Sequence, residues 1–161
     1  MIASVAPILI AIGAFFLRII NLDIPKGFVF DEVYYVDGAR DLLKYGVEVD
    51  GLKPEFVVHP PIGKWSIAIG IKIFGDNEFG WRITAAIAGT LIILIASRLA
   101  HELFYSPFLT AITAALLAFD GLLLVHSRTA LLDLFLTLFI LIAAYFWFRQ
   151  QYWHASIFFG L

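Results

Sequence analysis

Four nearly uncharged apolar runs, 3–20, 81–100, 108–125 and 131–148, set the terms on which this chain can fold. A helix needs about 20 predominantly apolar residues to cross the hydrocarbon core of a bilayer, and each run comes close. In lipid every backbone N–H and C=O must be satisfied within the segment, which selects the helix. The composition agrees: 61% of residues are hydrophobic, and 15% are charged, where a soluble domain carries about 25%. Mean hydropathy is +0.91. The chain reads as an all-α membrane protein with about four transmembrane helices. The first run lacks the basic flank and small-residue cleavage site of a secretion signal, so it reads as an anchor. A fifth apolar run opens at Trp153 and stops at Leu161. It reads as a truncated span, which makes residues 1–161 the expected N-terminal part of a larger transmembrane domain; a short interfacial segment is the alternative.

Other classes fall away on simple counts. There is no cysteine, hence no disulfide framework and no thiolate metal site. The net charge of −2 leaves no basic footprint for nucleic acid.

The connections are unequal. Residues 21–80 separate the first two runs, whereas the later runs are joined by a few residues each and must be antiparallel neighbours. In the long connection, Asp31 is placed to cap a helix from Glu32 to Tyr45, with Gly46 as its stop. Val36, Ala39 and Leu43 share one face of that helix. Asp37, Arg40, Asp41 and Lys44 lie largely on the other, the pattern of an interfacial amphipathic helix. Residues 47–58 read as extended or irregular. Pro60 and Pro61 stiffen the backbone and hold His59 out of the helical region. The segment Lys64–Phe74 alternates like a strand, but an open sheet edge is costly near lipid, so a short interfacial or re-entrant helix is expected.

Because the chain changes sides at every span, Asp31, Glu32, His59, Lys64, Arg82, His126, Arg128 and Asp133 should emerge on one membrane face. Asp120, roughly 18 Å into the third span, lies in the half nearer that face. Arg98, His101, Glu102, Arg149 and His154 belong to the opposite side. The long connection holds six Lys/Arg and ten Asp/Glu. Counting its cations alone would place it in the cytoplasm, but a connection of this length is at the limit of that rule.

Each polar group has a structural and a chemical reading. Asp31-Glu32 is either a helix cap with a first-turn acid or a partly desolvated carboxylate pair suited to removing a proton from an alcohol. His59-Pro60-Pro61 with Lys64 is either a rigid turn beside a snorkelling lysine or a fixed cationic corner aimed at a phosphate. Arg82 is an interfacial anchor beside Trp81 or a bidentate phosphate clamp. Asp120, Arg128 and Asp133 read as supporting residues, with Arg128 pairing one of the two acids to join the third and fourth spans. His101, His126 and His154 show no ligand spacing. No metal or cofactor is assigned, a divalent ion on Asp31 or Glu32 being the alternative.

These residues resemble the N-terminal region of the bacterial protein O-mannosyltransferases. The resemblance rests on Phe30-Asp31-Glu32-Val33-Tyr34-Tyr35, on Phe56 to Trp65 with its His59-Pro60-Pro61-Ile62-Gly63-Lys64 core, and on Phe79-Gly80-Trp81-Arg82. Asp120-Gly121 and Ser127-Arg128-Thr129-Ala130-Leu131-Leu132-Asp133 follow in family order. The resemblance implies a GT-C-type polytopic helical bundle in the bacterial plasma membrane, with a long first external loop on the extracytoplasmic side. It implies an inverting enzyme that moves mannose from polyprenyl-phosphate-mannose to Ser or Thr of exported proteins. Asp31 maps to the catalytic carboxylate and Glu32 to its partner. His59, Lys64 and Arg82 map to positions near the donor phosphate or the catalytic loop. A phosphate leaves as a stable anion without a general acid, so one carboxylate base can suffice. The implied partners are the lipid donor, Ser/Thr acceptors, the bilayer and an export channel, with no nucleic acid. Shorter than the family, such a piece is expected to be inactive alone. A sister GT-C enzyme acting on lipid A or a glycan, and a non-catalytic membrane scaffold, are the competing readings.

Overall fold

The computed structural model of the chain describes residues 5–51, 53–54 and 59–161. The expected start of the first span, and residues 55–58 of the extended stretch with the whole of Phe56-Val57-Val58, lie outside them. Among the described residues, eight helices and two short strands follow in chain order: α1 Val5–Ile19, α2 Glu32–Tyr45, β1 Val49–Asp50, β2 Lys53–Pro54, α3 Ile62–Phe74, α4 Glu78–Phe104, α5 Pro107–Phe119, α6 Gly121–His126, α7 Asp133–Phe148 and α8 Tyr152–Gly160. The two short strands pair antiparallel, Val49 opposite Pro54 and Asp50 opposite Lys53.

The amphipathic segment in the long connection forms the expected helix, ending at Gly46 in the left-handed conformation. Val36 and Ala39 on its inner face are fully buried, whereas Leu43 is exposed. The alternating segment is helical and starts at Ile62, just inside the two prolines. Lacking a side-chain cap, it begins on the fixed φ of Pro61.

Among the described residues, α4 is the helix long and apolar enough to cross a membrane. Its 27 residues extend about 40 Å. Asn77 caps it, its side chain accepting a hydrogen bond from Gly80 N at 3.0 Å. The other apolar helices, α1, α5 and α7, are shorter. The third expected run is interrupted rather than continuous. Helix α5 stops at Phe119, and Asp120 Oδ1 accepts from Leu123 N at 2.7 Å to begin α6. A short carboxylate competes for backbone donors and favours a cap over a helix interior, so the acid breaks the run it was expected to sit within.

Helix α4 is the hub, packed against α1, α3, α5 and α7; α2 packs on α3 and α8 on α7. Small residues make this close approach possible: Ala85, Ala86, Ala88 and Gly89 of α4 are all buried. At the α3–α4 turn the tolerance is narrower still. A Cβ on Gly80 would lie 2.0 Å from Gly75 O, and one on Gly70 would lie 2.3 Å from Gly80 O. The exterior is apolar: Leu9, Phe16, Leu116, Leu136 and Trp147 all point outward, a surface that suits lipid rather than water.

Candidate active site

The two acids that open α2 have opposite fates. Glu32 is completely buried. Its Oε1 accepts from Arg82 Nε at 2.8 Å and from Ala130 N at 2.7 Å. Its Oε2 accepts from Arg82 Nη2 and from Val29 N, both at 2.8 Å. Arg82, equally buried, also donates to the carbonyls of Leu22 at 3.2 Å, Pro25 at 2.9 Å and Gly27 at 2.8 Å. All five guanidinium donors are engaged. The pair is a bidentate fork that locks the starts of α2 and α4 to the chain leading into α7.

Asp31 stands at the cap position with φ −75° and ψ 1°, but its side chain makes no capping hydrogen bond. The expected cap is therefore absent, and the half-buried carboxylate remains uncommitted to the helix backbone. One turn on, Tyr35 lies beside it. The Tyr35 phenol is pushed above its ordinary pKa by burial, then by the negative charges of Asp31 and Asp133 and a hydrogen bond with Asp31. Its ring meets the His59 imidazole edge-on, with centroids 5.6 Å apart and planes at 87°. His59 and Asp133 in turn line a cavity of about 140 Å³ with Pro60, Ile62, Leu132 and Phe135. Asp31, Tyr35, His59 and Asp133, drawn from three separate stretches of sequence, thus share one end of the helical frame.

The remaining predicted residues sit elsewhere. Lys64 is buried with its ammonium on Glu48 Oε2, so it does not project into the cavity. Arg128 is bonded to neither Asp120 nor Asp133. It donates to the carbonyls of Leu17 at 3.2 Å, Arg18 and Ile20 at 2.8 Å and Asn21 at 2.9 Å, because the last carbonyls of α1 have no partners within that helix. The expected ion pair between spans is replaced by a cationic cap on the first helix. Asp120 is exposed at the α5–α6 break. At the far end of the frame, Arg149 reaches Glu102 at 3.5 Å. Among the described residues, no group of three or more His, Asp or Glu is placed to hold a metal ion.

Three residues escaped the sequence reading. Tyr35 could have been found from its four-residue spacing after Asp31, which puts both on one helical face. Glu48, in an irregular stretch, carries no local signal. Arg18 looks like an interfacial anchor, yet it is fully buried, bonded to Ala14 O at 3.1 Å, with Nε and Nη2 lacking partners among the described residues.

Apolar helices with an apolar exterior are those of a helical membrane protein, and its ionisable groups gather at one end. The chain belongs to the dolichyl-phosphate-mannose-protein mannosyltransferase family, whose profile matches residues 8–159. It is 45% identical over 116 residues to the polyprenol-phosphate-mannose–protein mannosyltransferase of Mycobacterium tuberculosis, covering 71% of this chain and 22% of that protein. The same-named protein of Corynebacterium glutamicum is 41% identical over 123 residues, covering 73% and 24%. An undecaprenyl phosphate-alpha-4-amino-4-deoxy-L-arabinose arabinosyl transferase of Pseudomonas aeruginosa is 34% identical over 131 residues, covering 78% and 23%. The chain spans about a quarter of the length of the curated relatives it matches. No solved structure matches it.

Proposed function

We propose that this chain supplies the base-bearing part of an inverting mannosyltransferase that moves mannose from polyprenyl-phosphate-mannose to Ser or Thr hydroxyls of exported proteins. The observation that carries the reading is the split between the two acids: Glu32 is saturated with hydrogen bonds, while Asp31 beside it is free of the helix cap. A carboxylate at the edge of an apolar frame is suited to take a proton from an alcohol. In the proposed step Asp31 accepts the hydroxyl proton as the Ser or Thr oxygen attacks mannose C1. The C1–O bond to phosphate breaks on the opposite face, and polyprenyl phosphate departs with the electron pair. Family membership supports the donor and acceptor classes.

Glu32 and Arg82 hold Asp31 in place in this reading. His59, exposed beside the cavity, is the predicted residue best placed to meet the donor phosphate. Lys64 and Arg82, both buried and paired, support the frame. The reading assigns no metal or cofactor. It places four spans in a GT-C-type bundle in the bacterial plasma membrane, with the α2–α3 connection outside the cytoplasm. Transfer of a lipid-phosphate-linked sugar to lipid A is the second reading, favoured by the arabinosyl transferase similarity.

The test is transfer of labelled mannose from polyprenyl-phosphate-mannose to a Ser/Thr peptide by the intact protein in membranes. Asp31→Asn is expected to lower transfer by about 100-fold or more, with normal abundance. Near-normal transfer by that variant would sink the base assignment. Transfer of aminoarabinose to lipid A, without transfer to peptide, would favour the second reading.

A further inference from the structure

Glu48 and Lys64 form a buried ion pair that the proposed chemistry does not use. Their residues are 5% and 6% exposed, and the pair lies between α2, the start of β1 and the first turn of α3. Glu48 follows the Gly46 stop of α2 and is held to that helix, because Val49 N donates to Asp41 Oδ2 at 3.0 Å. Lys64 comes just after Pro60-Pro61, so its position is rigidly linked to that of His59. The pair closes over Gly38, two helical turns after Asp31. A Cβ added there would lie 2.9 Å from Glu48 Oε2 and 3.1 Å from Lys64 Cδ. An added Cβ would press on both side chains, so glycine leaves the room in which the two charges meet against α2.

We propose that Glu48 and Lys64 are positioning residues: their ion pair, closed over Gly38, docks the start of α3 on α2 and thereby sets His59 against the Asp31–Tyr35 turn. A buried ion pair is a weak stabiliser compared with well-packed apolar side chains. Removing one partner, however, leaves an uncompensated charge. Such a pair therefore penalises every docking of α3 that separates the two groups. The edge-on contact of Tyr35 with His59 is the geometry it secures. This inference rests on the reading of Asp31 as the base.

The experiment compares Lys64→Met, Glu48→Gln and the double variant in the intact protein in membranes. Each single change is expected to lower kcat/KM for the donor by about 100-fold, the scale of a misplacement of about 1 Å, because His59 is displaced. The double variant, with no buried charge left, is expected to return to within about threefold of the wild type. A double variant that fails to accumulate, or is as impaired as Lys64→Met, overturns the proposal. A Glu48→Gln variant with normal transfer overturns it too.

A second measurement does not depend on transfer. The chain has no cysteine, so Tyr35→Cys with His59→Cys gives a pair open to a short bifunctional thiol reagent. Linkage is expected to fall severalfold when Lys64→Met is added and to recover when Glu48→Gln is added as well. Linkage indifferent to both changes overturns the positioning role, whether or not Asp31 is the base.

Discussion

Replacing Arg82 with lysine keeps the charge and removes the fork. Arg82 donates five hydrogen bonds, two to Glu32 and three to the carbonyls of Leu22, Pro25 and Gly27. An ammonium offers three donors from one point, so at least two of these five bonds are lost around a fully buried side chain. Each lost charge-assisted bond costs about 1.5–3 kcal/mol. Because the positive charge still offsets Glu32, the lower half of the range applies, and the loss is about 3 kcal/mol. At about 2–4 °C per kcal/mol for a chain of this size, Arg82→Lys should melt about 6–12 °C below the wild type. The assay is loss of helical circular dichroism on heating in detergent micelles, with donor KM measured in parallel. A variant that melts with the wild type but shows a raised donor KM would refute the reasoning, because the guanidinium would then be facing the phosphate rather than the frame.

Two further outcomes follow from other parts of the frame. Burial alone would raise the Asp76 carboxyl, but hydrogen bonds from Arg40 and Trp81, with the Arg40 charge, outweigh it and hold the group below its ordinary pKa. Its contribution is therefore present above the unfolded carboxylate value of about 4 and lost as pH falls through the depressed folded value. Asp76→Asn should flatten that acid limb of a melting-temperature profile, and an unchanged limb would assign it to other groups. Gly80→Ala forces a Cβ to within 2.0 Å of Gly75 O and should abolish accumulation in the membrane. Wild-type abundance by immunoblot would show that the α3–α4 turn is looser than described.

Local rules carried the sequence reading a long way. Helix α2 was legible from its amphipathic face and glycine stop, because both signals lie within the segment. Asp31, His59 and Asp133 do gather at one end, where the alternation of apolar runs was expected to put them. What stayed hidden depends on partners distant in sequence. Whether Asp31 caps its helix or Arg128 meets an acid is decided by competition among nearby donors and carbonyls, which spacing does not rank. The Glu48–Lys64 pair needs the hairpin, α2 and α3 assembled before its two charges meet. Asp120 shows the opposite failure: a strong local preference for a cap overrode the apolar run around it.

The connector between α1 and α2 is gripped largely by its peptide groups. Arg128 and Arg82 together take seven carbonyls from Leu17 to Gly27, two in the last turn of α1 and five in the connector. A handhold made of carbonyl oxygens does not register which side chain is attached. An exposed position such as Ile24 should therefore accept broad substitution without moving Asp31, provided the backbone keeps its path. The same segment should be far less tolerant of an inserted or deleted residue, which would slide every oxygen past its guanidinium. In this chain the route to Asp31 is recorded as a length rather than as a spelling.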